Sequence, residues 1–338
     1  MLLIVAHHYV VNSGLMEVMQ EQPLSGDSIF LYIWGMWGKT GINCFVLITG
    51  YFMCKSTITW RKFLKLLLEI YFYRIVIYAV FLLSGYESFS FIDCMKVLIP
   101  VYWVDTNFVS CFLLFYLCIP FLNILVQNLS KRQHQLLVVL CLFIYTFIGS
   151  VPKFHVTMNY VSWFCVLYFI SSYISRYNAF NSISHARWGY LTLAAIVVSV
   201  LSVIGLLWLP VFLHIPYISP YRFVADSNVV LALVTAVCSF MYFKDLKMKH
   251  SPIVNAVGAS TFGVLLIHAH SDTMRQWLWR DTLDNVGVFS SDFLVIHALV
   301  SVIGIFIVCI IIDYVRIHTL EKWAFKYVDK ALLKYNLK

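Results

Sequence analysis

Trp188-Gly-Tyr-Leu-Thr-Leu-Ala-Ala-Ile-Val-Val-Ser-Val-Leu-Ser-Val-Ile-Gly-Leu-Leu-Trp-Leu-Pro-Val-Phe-Leu213 contains no charged residue. As an α-helix rising ~1.5 Å per residue, this stretch covers roughly 39 Å, more than the ~30 Å hydrocarbon core of a bilayer. The run is continuous, not alternating, so it reads as a helix that satisfies its own backbone groups. Similar apolar segments lie at 1–12, 29–54, 63–84, 107–126, 134–151, 159–175, 226–243, 253–270 and 292–314. The expectation is an all-α polytopic membrane protein, a bundle of about ten transmembrane helices. It would form a single domain over 1–338 with no soluble domain. Of the 338 residues 61% are hydrophobic and 12% charged, against ~25% charged in a soluble domain.

Charge orients the bundle. With the N-terminus inside, the inner loops and the tail from Arg316 carry sixteen Lys and Arg, and the outer loops carry five. This is the positive-inside bias, with both termini cytoplasmic. It accounts for the net charge of +8 without nucleic acid, because the basic residues lie in short loops. No basic leader with a small-residue cleavage site opens the chain. The nine cysteines include no Cys-x-x-Cys pair and read as small packing residues.

An ionisable side chain inside a membrane helix is costly and marks a candidate for chemistry. The first apolar segment carries the doublet His7-His8, and segment 253–270 ends in Ile267-His268-Ala269-His270. Both segments run outward in this topology, so the four histidines approach one leaflet. Helix neighbours do not share a face. One histidine of each pair is therefore expected to point inward. A metal site needs three or four convergent ligands, and this spacing supplies no such set, so no metal is expected. Lys39, Asn43, Glu69 and Arg74 are further polar residues in apolar surroundings. Glu69 and Arg74 read as partners in interhelical ion pairs, though not with each other. Tyr102-Trp103-Val104-Asp105-Thr106-Asn107 marks a helix entrance, with Asp105 or Thr106 as its cap. Trp277, Leu278 and Trp279 read as an interfacial aromatic anchor.

Four stretches, in order over nearly the whole chain, resemble the integral-membrane acyltransferase 3 family, which O-acylates surface sugars, lipids and antibiotics. They are the doublet His7-His8; Gly38-Lys-Thr-Gly-Ile-Asn-Cys-Phe-Val-Leu-Ile-Thr-Gly-Tyr-Phe52; Tyr102-Trp103 leading into Leu113-Leu-Phe-Tyr-Leu-Cys-Ile-Pro-Phe-Leu-Asn123; and Ser260-Thr-Phe-Gly-Val-Leu-Leu-Ile-His268. The family places a basic residue about three helical turns before its active histidine. Counting back from His8 passes Met1. The first apolar run is also short, so the first helix is expected to be truncated at its N-terminus. Tyr71-Phe72-Tyr73-Arg74 stands where the family has a proline pattern.

The resemblance implies transfer of an acyl group, acetyl in the first instance, from acyl-CoA to a hydroxyl of a cell-surface or lipid-linked glycan. Acyl-CoA is then a co-substrate, with no bound cofactor. His8 would be the general base, with His7 the fallback. Lys39, Asn43, Trp103, Asp105, His268 and Arg275 would serve the acceptor or the oxyanion. Arg61, Lys62 and Arg74 would hold CoA phosphates. The site would be the bacterial inner membrane, with membrane lipids as neighbours. Two rival readings are a transporter, flippase or polymerase of lipid-linked polysaccharide, which would ignore acyl-CoA, and an inactive truncated remnant.

Overall fold

A computed structural model describes residues 1–102, 104, 107–151, 154 and 156–334. Trp103 and Asp105 lie outside the described residues. Every regular element among the described residues is helical: α1 Leu2–Val11, α2 Leu15–Glu21, α3 Gly26–Gly35, α4 Gly38–Met53, α5 Trp60–Leu83, α6 Phe91–Leu98, α7 Phe108–Asn128, α8 Lys131–Cys141, α9 Tyr160–Tyr177, α10 His185–Leu213, α11 Val230–Lys244, α12 Pro252–His268, α13 Asp272–Arg275, α14 Asn285–Val288, α15 Leu294–Arg316 and α16 Lys322–Lys334. Short π-helical turns follow α8, α13 and α15.

Four helices among the described residues are long and apolar enough to cross a membrane: α5, α7, α10 and the continuous helix Leu294–Lys334. The number rises to six if two bent pairs each count as one span. These are α1 with α2, bent by 63°, and α12 with Asp272–Val288, bent by 93°. The count of about ten expected from hydropathy is not reached, because the apolar segments do not all become long helices. Segment 29–54 breaks at Met36–Trp37 into α3 and α4, segment 134–151 passes from α8 into a π turn, and α11 has 15 residues.

The glycines of the second motif let helices approach closely. A Cβ at Gly41 would lie 3.0 Å from Ile4 Cγ1 on α1, and one at Gly50 would overlap the Ser171 hydroxyl on α9. α4 therefore packs against α1 and α9, and also against α11, while α1 is held between α3, α4 and α15. α12 packs against α15 and α5. α1 thus runs through the middle of the bundle, where Val5, Tyr9 and Val10 are fully buried.

Two of the polar residues in apolar surroundings have structural partners. Glu69 pairs with Arg316 at 3.1 Å, whereas Arg74 donates to the carbonyls of Val97, at 3.1 Å, and Lys96. These carbonyls close α6, whose last turn lacks backbone partners of its own. Trp279 is not an interfacial anchor. It is completely buried, edge-on to the rings of Tyr9 and His268. The 93° bend after α12 folds this segment back over the end of α1, where Asn285 Nδ2 donates to the Tyr9 carbonyl at 2.9 Å.

Candidate active site

His8 lies in the last turn of α1 and His268 in the last turn of α12. Their rings meet, with His8 Nδ1 and His268 Nε2 2.9 Å apart. The other nitrogen of His268, Nδ1, is 2.6 Å from the Val264 carbonyl oxygen. A carbonyl only accepts, so this bond assigns the proton to His268 Nδ1. In the neutral ring Nε2 then carries a lone pair, which accepts from His8 Nδ1–H. That leaves His8 Nε2 without a proton. Because His268 is completely buried, no solvent competes for these bonds, and the geometry fixes one tautomer of His8.

His8 lines a cavity of about 240 Å³ together with His7, Asn12, Lys39, Asn107, Tyr160 and Arg275. The remaining wall is mainly apolar, including Ile4, Ile42, Phe108 and Leu265. Both members of the histidine doublet reach this space. The expectation that only one of them would point inward fails for a simple reason: the cavity wraps around the end of α1, from α4 on the His7 side to α12 on the His8 side. His7 is held by a 2.6 Å bond from Nδ1 to the Gly35 carbonyl. Its ring lies over Gly38, where a Cβ would overlap it. Neither His268 nor His270 lines the cavity, contrary to the expectation for that pair; His268 touches the site only through His8.

Helix ends divide the electrostatics of the cavity. α4, α7 and α9 begin here, at Gly38, Phe108 and Tyr160. Their N-termini carry partial positive charge, which favours an anion. The Lys39 ammonium and the Arg275 guanidinium add to that side. α1 and α12 end here, and their C-terminal dipoles favour positive charge where His8 and His268 sit. Lys39 Nζ donates to the Tyr160 hydroxyl at 2.6 Å. That hydroxyl accepts from Lys39 with one lone pair, and its own proton is available to donate. Arg275 bonds Asp272 at 2.7 Å through Nη1, while its buried Nε has no partner. A negative charge formed in the cavity would thus meet donors, and a proton removed from it would rest on a ring at a helix C-terminus.

The other candidates lie apart. Asn43 is fully buried, accepting from Trp163 Nε1 at 2.9 Å and donating to the Ser227 carbonyl at 2.7 Å. It ties α4 to α9 and does not line the cavity. Arg61 bonds Asp329 at 2.8 Å, and Lys62 bonds Ser56 Oγ at 2.6 Å, both near the start of α5. Arg74 is engaged by α6. None of these three basic residues lines the cavity. Among the described residues, no group of three or more His, Cys, Asp or Glu is arranged to hold a metal ion.

Sequence reasoning missed Tyr160, Asn12 and Asn107. Two of them carried a readable signal. Asn159 caps α9 through the Ser162 N–H at 2.9 Å, so Asn159-Tyr160-Val161-Ser162 marks a helix start and places Tyr160 in its first turn. Asn12 follows His8 by four residues and so lies above it on one helix face.

Gly38→Ala is a local test of this geometry. The added methyl must displace the His7 ring, and overpacking of this kind costs typically ~1–3 kcal/mol. Turnover at this cavity should fall at least about tenfold, with expression and helical content by circular dichroism unchanged. Full activity in this variant would show that the His7 position is immaterial.

No curated protein and no solved structure matches the chain. One family model, described as an acyltransferase domain, matches residues 1–314. Since the match spans α1 to α15, and with them every wall of the cavity, the chain belongs to the acyltransferase 3 family.

Proposed function

We propose that this membrane acyltransferase moves an acyl group, acetyl in the first instance, from acyl-CoA to a hydroxyl of a cell-surface or lipid-linked glycan, with His8 as general base. The observation that carries this reading is the relay from the Val264 carbonyl through His268 to His8. It leaves an unprotonated imidazole nitrogen on the wall of a polar cavity, the requirement for activating a hydroxyl at neutral pH.

His8 Nε2 takes the hydroxyl proton as the oxygen attacks the thioester carbon. The carbonyl oxygen becomes an oxyanion facing Lys39, Tyr160 and the N-termini of α4, α7 and α9. When this intermediate collapses, the C–S bond breaks and the His8 imidazolium protonates the departing thiolate. The products are an ester and free CoA, and His8 returns to its starting tautomer. His268 touches neither substrate. It orients His8 and accepts a hydrogen bond from its Nδ1–H throughout, as a positioning residue.

A second groove would suit the donor. A groove between α4, α10 and α11 runs from Lys244 and His185 to Thr40. From Phe52 to Thr40 it follows α4 for about 18 Å. A pantetheine arm has the contour of about five peptide residues, roughly 17 Å, so a thioester bond would arrive one residue from Lys39. The nucleotide phosphates would then lie at the Lys244 end, whereas Arg61 and Lys62 do not line this groove. We take that end to be cytoplasmic, from the excess of basic residues in its loops.

The experiment is acyl transfer from labelled acetyl-CoA in membrane vesicles supplied with glycan, scored as alkali-labile label on the glycan. Wild type should transfer. His268→Gln should fall by about 10²-fold in kcat, at the lower end of what a general base contributes, with little change in KM for acetyl-CoA. A variant that raised KM alone would place His268 in binding instead. Transfer that needs no acyl-CoA, or glycan translocation without esterification, would favour the flippase reading.

A further inference from the structure

The His8 cavity holds more positive charge than the acyl-transfer step uses. In the proposed reaction Lys39 and Tyr160 face the oxyanion. Arg275 reaches the cavity from a different element, α13, after the 93° bend, and has no part in that step. Among the described residues no carboxylate lines the cavity. Asp272 takes Arg275 Nη1 at 2.7 Å, but its own side chain is 96% exposed, so water screens that pair. The other edge of the guanidinium, formed by Nε and Nη2, is open, and Nε is buried without a partner. The same edge holds a carboxylate elsewhere in this chain: Arg61 donates from Nε and Nη2 to the two oxygens of Asp329. This is the side-on fork that matches a carboxylate.

A second unmet donor lines the same cavity. The Asn12 amide nitrogen is buried and has no partner. Asn12 follows the last residue of α1, one turn beyond His8 and ~6 Å further along the helix axis. A buried donor left unpaired is costly. Two of them at one cavity, one on a cation, point to a ligand that brings acceptor atoms and negative charge. The spacing fits a single sugar ring. Bonds of ~1.5 Å put a ring hydroxyl and a carboxylate on the far side of a pyranose roughly 5–6 Å apart. With the hydroxyl at His8 Nε2, the carboxylate arrives at the level of Asn12.

We infer that the acceptor is an acidic sugar of the uronic-acid type, its carboxylate held by Arg275 and Asn12 while its hydroxyl meets His8. This rests on the acyltransferase reading and adds the charge of the acceptor to it. A neutral sugar in the same place would leave the guanidinium edge and the amide without partners, the kind of loss that gives strong discrimination. Arg275 then selects the acceptor through binding, and the chemistry stays with His8.

The test uses the full chain in phosphatidylcholine vesicles with labelled acetyl-CoA. The acceptor is surface glycan from the cells in which the chain is native, supplied in two forms. One is untreated, and in the other the carboxyls are reduced to primary alcohols after carbodiimide activation. Reduction keeps the ring hydroxyls and leaves phosphate esters in place. Wild type should esterify untreated glycan at least tenfold better in kcat/KM, with the label on its acidic residue by mass spectrometry. Arg275→Gln should erase that preference by raising KM for the untreated glycan. Arg275→Lys, which keeps the charge without the fork, should restore part of it, and Asn12→Ala should weaken it. Equal transfer to both forms by wild type would overturn the inference. So would transfer that is indifferent to carboxyl reduction but lost after phosphatase treatment, since the anion would then be a phosphate. An equal drop in kcat on both forms in Arg275→Gln would overturn it too, by assigning the guanidinium to the oxyanion. Co-sedimentation of each glycan with the vesicles is read without acetyl-CoA. Selective binding of the untreated form, lost in Arg275→Gln, with no label transferred, would sink the acyltransferase reading and leave the acidic-sugar site standing. Equal binding of both forms would overturn the site itself.

Discussion

Replacing His8 by alanine should lower acyl transfer about 10³-fold while leaving the protein folded. General-base catalysis contributes roughly 10²–10⁴ in rate, and His8 is the ring whose free nitrogen is fixed by the relay. The side chain is only partly buried and borders an existing cavity. Its loss enlarges polar space and does not empty the apolar core. Three further results should accompany the drop. Acetyl-CoA binding should persist, because no CoA contact is assigned to His8. His7→Ala should cost less, since His7 is bonded to the Gly35 carbonyl and stands outside the relay. Added imidazole should restore part of the activity of His8→Gly, as the vacated space adjoins the 240 Å³ cavity. Equal losses from His7→Ala and His8→Ala would show that the relay is not the source of the base. Wild-type activity in His8→Ala would remove His8 from the chemistry.

The parts of this site that follow local rules were readable from the chain. The doublet His7-His8 and the terminal His268 stand out because ionisable groups are rare in apolar segments. Their spacing showed that His268 and His270 would diverge, and in the structure only His268 borders His8. The glycines of Gly38–Tyr51 were legible as part of the family resemblance, but the close approach of α1 and α9 that they allow was not. What stayed hidden depends on three-dimensional neighbours. Tyr160 becomes part of the site only because α9 begins beside Lys39. Arg74 reads as a phosphate ligand until α6 folds back and presents its open carbonyls to it. The span count suffered from the same limit. Hydropathy registers that a segment is apolar, but not that its helix breaks at Met36–Trp37 or turns through 93° after His268. Such breaks occur where backbone is buried or lines a cavity, and both border the walls of this one.

Arg316→Met should be the most damaging substitution for stability. The guanidinium is 5% exposed and bonded to three carboxylates: Asp313 at 2.8 Å, Glu321 at 2.9 Å and Glu69 at 3.1 Å. Lys65 provides a second cation only for Glu321, at 2.7 Å, and the Tyr73 hydroxyl donates to Asp313 at 2.7 Å. Without Arg316, Glu69 and Asp313 are left as buried charges with no cation between them. Removing one partner from a buried pair costs about 3–5 kcal/mol. By contrast, the Arg61–Asp329 pair is roughly half exposed, and Arg61→Ala should cost about 0–1 kcal/mol. The measurement is thermal unfolding of the detergent-solubilised protein. Arg316→Met should unfold well below wild type, and Arg61→Ala close to it. Neutralising the stranded carboxylates with Glu69→Gln and Asp313→Asn in the Arg316→Met background should recover much of the loss, because it removes the buried charges themselves. Unfolding of Arg316→Met at the wild-type temperature would mean that the cluster is not needed for the fold. The effect should also reach the active site. Asp313 packs directly against Gly263, where a Cβ would overlap its carboxylate. Gly263 precedes His268 on α12 by about 7.5 Å of helix. The ion cluster therefore sets how α12 sits against α15, and with it the height at which His268 meets His8. A sublethal member of the series such as Glu321→Gln should lower kcat before it measurably lowers stability.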